Sequence, residues 1–170
     1  MNSVVIYDST FGNTEQIARA IAGRLGEHGT VQLMRSDEAA SPDLKEMDLL
    51  VIGCPIHNQR MTPAIGALLA NIPRQSLKGR AAATFDTRYQ LNWFLSKFTA
   101  AQEIASKLKK TGASLIVPPE GFIVTGREGP LDEGEIERAA QWAERIFEQF
   151  EAASSLHNRQ KLQDKTLAQP

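Results

Sequence analysis

Short apolar runs alternate with segments of helical period along most of this chain, and that alternation limits the fold more than any other feature. Val4-Val5-Ile6-Tyr7 is an unbroken apolar run, as a strand buried on both faces of a parallel sheet requires. Beyond Gly12-Asn13-Thr14, apolar residues fall at Ile17, Ala18, Ile21, Ala22 and Leu25, one stripe of an amphipathic helix ending near Gly26 or Gly29. A short second strand is expected over Thr30 to Met34, and Leu49-Leu50-Val51-Ile52, the most apolar stretch, reads as a central one. Thr62-Pro63 supplies an N-cap and a first helical position ahead of Ile65, Leu68 and Leu69. Ala81 to Phe85 is a weaker strand, because alanine is a poor strand former. Thr99 and Gln102 have the spacing of a capping box, and Ile104, Ala105 and Leu108 carry a helix towards Gly112. Leu115-Ile116-Val117 reads as a strand broken by Pro118-Pro119, with Phe122-Ile123-Val124 resuming it. Asp132 and Glu135 mark the last helix, whose stripe is Ile136, Ala139, Ala140, Ala143, Ile146, Phe147 and Phe150. Five strands alternating with five helical segments predict an α/β protein, built of right-handed βαβ units around a parallel sheet covered on both faces.

A length of 170 residues suits one domain. That domain is expected over residues 1–150. From about Ala153 the stripe fades, so residues 151–170 read as a polar C-terminal tail, either flexible or an arm that packs on another subunit of a homodimer. Nineteen Lys and Arg against 20 Asp and Glu leave a net charge of −1, which gives no field to draw in nucleic acid or anionic lipid. No apolar run is long enough to span a membrane. The chain enters its first strand without a basic n-region or a cleavage site, so a soluble, cytoplasmic protein is expected. A single cysteine, Cys54, leaves no internal disulfide and no cysteine-rich zinc site.

In an open α/β sheet, ligands bind beyond the carboxyl ends of the strands, where strand order reverses. The loop there, Asp8-Ser9-Thr10-Phe11-Gly12-Asn13-Thr14, leads straight into the first helix. Hydroxyls, a glycine and an asparagine at a helix N-terminus can wrap an anion with unpaired amides and side-chain donors, aided by the helix dipole. Gly12-Asn13-Thr14 also suits a bare turn plus helix cap. The segment contains no lysine or arginine, so a phosphate bound here is expected to be held by neutral donors alone. Neither G-x-x-x-x-G-K-[ST] nor G-x-G-x-x-G is present, which removes the nucleoside-triphosphate loop and the dinucleotide fingerprint. A response-regulator receiver needs paired acids after the first strand and an aspartate after the third. Here Asp8 stands alone and the third strand ends in Gly53-Cys54.

Ser-Thr-Phe-Gly-Asn-Thr directly after an apolar first strand resembles the FMN phosphate loop of the flavodoxin family. The aromatic Phe11, where classical members usually carry a hydroxyl, is more similar to the flavodoxin modules of A-type flavoproteins. Gly53-Cys54-Pro55-Ile56-His57-Asn58 resembles the second FMN loop, and Ala83-Thr84-Phe85-Asp86-Thr87-Arg88-Tyr89 the third. Gly129-Pro130-Leu131-Asp132-Glu133-Gly134-Glu135 is similar to a segment of stand-alone flavodoxin-like proteins. The resemblance covers residues 1 to about 150. It implies a flavodoxin-like three-layer sandwich with a five-stranded parallel sheet in the order 2-1-3-4-5, and FMN as cofactor. Ser9, Thr10, Asn13, Thr14 and the backbone around Gly12 would then hold the phosphate. Pro55 and Ile56 would give the apolar inner contact to the ring, with His57 and Asn58 as hydrogen-bonding groups. Tyr89 would stack on the ring, with Trp93 as a second stacker, and Thr87 belongs to the same loop. Arg88 is either a charge near the reduced flavin or a surface arginine. Asp86 is either a loop-ordering residue or a flavin neighbour. His57 reads as a solvated donor rather than a catalytic base.

Cys54 and Arg60 also have the C-x5-R spacing of cysteine phosphatases, but Pro55 lacks the N–H that such an anion nest needs, and no glycine lies between them. Three functions remain. The first is a small FMN electron carrier serving redox partner proteins. The second is a flavodoxin-like NAD(P)H or quinone oxidoreductase acting on small molecules. The third is a binding module that has lost flavin. A net charge of −1 is unlike the strongly acidic electron-transfer flavodoxins that dock on basic reductases.

Overall fold

The computed structural model describes residues 1–39, 46–58, 60–90 and 99–167, with side chains through residue 156. The strands are β1 (Asn2–Tyr7), β2 (Thr30–Arg35), β3 (Leu49–Pro55), β4 (Ala81–Arg88), β5 (Ser114–Leu115) and β6 (Glu120–Ile123). The helices are α1 (Asn13–Gly26), α2 (Pro63–Ala70), α3 (Ala100–Lys110) and α4 (Glu135–Leu167). All strand pairs are parallel, in the order β2-β1-β3-β4-β5, with β6 also on β4. The expected fifth strand is therefore present in two pieces along one edge of β4. Ser114 and Leu115 pair with Ala81 and Ala82, and Glu120–Ile123 pair with Phe85–Arg88. Between the pieces, Pro118 and Pro119 have no N–H to donate to the ladder.

Parity along each strand divides the core. Val4, Ile6, Leu50, Ile52 and Ala82 face Ile65 and Leu69 of α2 and Ile104 and Leu108 of α3. Val5, Tyr7, Leu49, Val51, Ala83 and Phe85 face Ile17, Ile21 and Leu25 of α1 and Trp142 and Ile146 of α4. On that second face Phe85, Phe122 and Trp142 meet edge to face, with centroids 6.1–6.2 Å apart. Gly53 is required beside them, because a Cβ there would enter the Phe85 ring.

Helix caps follow the sequence signals. Thr62 caps α2 with Pro63 at the first position, though its hydroxyl makes no capping bond, and the Thr99 hydroxyl accepts the Gln102 amide at 3.4 Å. The described residues hold four α-helices, and residues 36–38 after β2 form a turn. Two expectations need correction. Strand β4 does not stop at Phe85 but continues to Arg88, because β3 and β6 pair with its far end. The stripe of α4 holds at Ala139, Ala143 and Ile146, which are buried, and at Phe147 and Phe150, which pack against that core, but Ile136 is 44% exposed and Trp142, absent from the expected stripe, is buried. The backbone of α4 stays helical to Leu167, so the helix runs through the polar segment from residue 151. No glycine or proline interrupts residues 151–167. His28, at the end of α1, bonds Glu144 at 3.0 Å and stacks on Phe147 at 3.7 Å, tying α1 to α4. Among the described residues no helix is long and apolar enough to cross a membrane.

Candidate functional site

The carboxyl ends of β1, β3 and β4 open into a cavity of about 330 Å³. That lies within the usual range for small-molecule pockets of roughly 300–1,000 Å³. Ser9, Thr10, Phe11, Asn13, Thr14, Pro55, Ile56, His57, Thr87, Arg88 and Tyr89 line it, so the structure brings together eleven of the fourteen residues singled out from sequence.

The first loop is held rigidly. Gly12 sits at φ 84°, the left-handed region that favours glycine, and its amide donates to the Ser9 hydroxyl at 3.1 Å. The Gln16 amide then donates to the Gly12 carbonyl at 3.0 Å and starts α1, leaving the amides of residues 13–15 without an intrahelical acceptor. The hydroxyls of Thr14 and Thr87, both buried, bond each other at 2.7 Å and tie this loop to the end of β4. Two hydroxyls hold two protons and their mutual bond uses one, so the pair retains a donor. Asn13 spends its side-chain amide on the Glu128 carbonyl, at 2.9 Å.

The second loop continues from Pro55. The Ile56 amide donates to the Thr87 carbonyl at 2.9 Å, and His57 and Arg60 exchange backbone bonds of 2.9 Å around a turn in which Asn58 has φ 49°. Asn58 shapes that turn and does not line the cavity. Arg60 points away to Glu103 at 3.1 Å, and the Met61 amide donates to the same carboxylate at 3.1 Å. Partial burial alone would raise the Glu103 carboxyl, but the Met61 amide and Arg60 outweigh it and hold it below its ordinary value. Burial pushes the Cys54 thiol up to about 12, which removes the thiolate that a phosphatase reading needs.

At the third loop, parity along β4 decides the roles. Phe85 and Thr87 point towards α1, and Thr84 and Asp86 towards α3. Asp86 is fully buried, accepts the Ala101 amide at 2.8 Å and lies 3.3 Å from Arg88 Nε. It anchors the first turn of α3 and does not line the cavity, so its assignment as a flavin neighbour gives way to the loop-ordering one. Burial pushes its carboxyl up to about 6, against the pull of Arg88 and the Ala101 amide. Arg88 is not a surface arginine: its side chain is 17% exposed and lies across the Gly121 backbone, where any side chain would clash. Tyr89 and Phe11 stand at the mouth, 50% and 49% exposed. Trp93 lies outside the described residues.

Comparison with known proteins identifies the family. The family model for flavodoxin matches residues 5–142. The chain belongs to the flavodoxin family. Flavodoxin 2 from Bacillus cereus is 19% identical, with a TM-score of 0.73 over 88% of this chain and 99% of that one. A flavodoxin from the domain Archaea is 22% identical, with a TM-score of 0.70 over 89% of this chain and 99% of that one. Rubredoxin oxygen:oxidoreductase from Desulfovibrio gigas is 20% identical, with a TM-score of 0.70; it matches 89% of this chain and 36% of its own. A search of curated protein sequences found no match.

The cofactor of this flavodoxin-family chain is FMN. The residues present suit it. Beside the cavity the amides of residues 13–15 lack an intrahelical acceptor and the Thr14–Thr87 pair retains a donor, which suits the phosphate end of such a ligand. Three cavity residues escaped the sequence reading: Thr62, Val124 and Arg127. Thr62 carried a signal, but its place before Pro63 pointed only to a cap. The structure brings Arg127 to the cavity from far along the chain, alongside a first loop that itself holds no lysine or arginine.

Proposed function

We propose that this protein is an FMN electron carrier that passes electrons between protein partners. FMN, when bound, supplies the redox chemistry by taking up and releasing electrons at its ring. The chain supplies the grip. Ser9, the Thr14–Thr87 pair and the free amides of α1 offer donors to the phosphate, while Arg88, paired with the buried Asp86, lines the same cavity. The observation that carries the reading is the mouth of the cavity, where Phe11 and Tyr89 stand about half exposed. An apolar rim left in water is suited to a partner protein that approaches the ring closely enough for electron transfer.

The test supplies the reduced, FMN-loaded protein with cytochrome c as a one-electron acceptor. A parallel assay supplies NAD(P)H and a small quinone without any partner protein. Rapid reduction of cytochrome c with no sustained NAD(P)H consumption is expected. Steady turnover of NAD(P)H with the quinone alone would replace this reading by that of a self-contained oxidoreductase.

A further inference from the structure

We infer that Arg127 clamps the cofactor's phosphate and sets the preference of the pocket for FMN over riboflavin. This rests on the FMN reading and assigns one residue within it. Arg127 belongs to the loop between β6 and α4, which folds back over the first turn of α1. Asn13 reaches across to the Glu128 carbonyl at 2.9 Å, and Gly129 seats against the same side-chain amide so closely that no side chain fits there. The loop closes on itself through the Thr125 amide to the Pro130 carbonyl, at 2.9 Å, and the Gly129 amide to the Gly126 carbonyl, at 3.1 Å. Arg127 is therefore carried at the end of the cavity where the phosphate loop lies, and it lines that cavity.

Charge singles it out. The cavity's other arginine, Arg88, is committed to the buried Asp86 at 3.3 Å, and nearby Arg35 has Asp37 at 3.4 Å. Arg127 has no carboxylate partner among the described residues. The neutral donors of the loop are partly spent: the Asn13 amide serves Glu128, the Gly12 amide serves Ser9, and Thr14 and Thr87 use one of their two protons on each other. A phosphate monoester carries about −1.5 to −2 charges at neutral pH. The loop's remaining donors, the amides of residues 13–15 and the hydroxyls, are neutral and supply no counter-charge, whereas a planar guanidinium supplies one and matches two phosphate oxygens at once. The side chain is exposed, so it closes from the solvent side and its attraction is screened by salt.

The experiment titrates the full chain, freed of flavin, with FMN and with riboflavin, following the quenching of flavin fluorescence at low and high salt. Arg127→Gln should weaken FMN about tenfold, as loss of a screened charge-assisted bond predicts. Riboflavin, which has no phosphate, should bind both proteins alike. Arg127→Lys should restore part of the loss, and FMN affinity should fall less with salt in the Gln variant than in the wild type. An Arg127→Gln protein that binds FMN as the wild type does, or that weakens both flavins equally, would overturn the inference while leaving FMN binding intact. A wild-type protein that binds neither flavin would overturn the FMN reading itself, and this inference with it.

Discussion

Replacing Asp86 by asparagine isolates the cost of a buried charge behind the candidate site. The carboxyl is fully buried, and burial raises it from 3.8 to about 6 in spite of Arg88 at 3.3 Å and the Ala101 amide. A carboxyl that binds its proton more tightly in the folded than in the unfolded chain takes up a proton on folding between those two values. Its contribution to stability therefore falls as pH rises through that window. An upward shift of about 2 units corresponds to at most about 3 kcal/mol. The amide of the Asp86→Asn variant has no proton to lose. Below about pH 4 both side chains are neutral and both can accept the Ala101 amide, so the two proteins should hold a constant difference in stability there. Towards neutral pH the wild type should lose up to about 3 kcal/mol relative to Asp86→Asn, and this net figure already includes the attraction of Arg88. Urea unfolding of the flavin-free chain at several pH values measures the difference directly. If the wild type gained on the variant as pH rose, the Arg88 pair and the Ala101 amide would outweigh burial, and the reasoning would fail.

Three further outcomes follow from the packing and the site. Gly53→Ala drives a Cβ into the Phe85 ring, which Phe122 and Trp142 hold in place, and should cost about 1–3 kcal/mol in chemical denaturation; an unchanged midpoint would show that the ring yields freely. Trp142→Ala should cost about 3–5 kcal/mol, whereas Ile136→Ala, at a position 44% exposed, should change stability by less than about 0.5 kcal/mol; similar losses would mean the buried face of α4 is misassigned. Thr14→Val breaks the hydroxyl pair with Thr87 and should weaken FMN about tenfold with little effect on riboflavin, as read by fluorescence titration; equal losses would place the pair in the scaffold rather than at the phosphate.

What the sequence could and could not reveal follows from the reach of each signal. The α1 stripe of Ile17, Ala18, Ile21, Ala22 and Leu25 was legible because a helix writes its buried face in one local period, and all five residues are buried. The donor-rich loop between β1 and α1 was legible because strand, loop and helix N-terminus are contiguous. Strand parity was less so. Placing Asp86 against α3 rather than in the cavity needs the direction of one side chain on β4, and a strand buried on both faces shows no polar alternation from which to read it. In α4 the stripe was legible at Ala139, Ala143 and Ile146, but its edge was not: Ile136 lies outside the buried face and Trp142 lies within it, where it meets Phe85 and Phe122. Arg127 carried no local signal at all, because Asn13 and Glu128 stand 115 residues apart and only the folded sheet brings them together. A binding loop read by itself discloses the donors it owns, not the charge that a distant loop lends it. The charge balance of such a cavity is a property of topology, since a first loop without lysine or arginine shares its cavity with an arginine more than a hundred residues away.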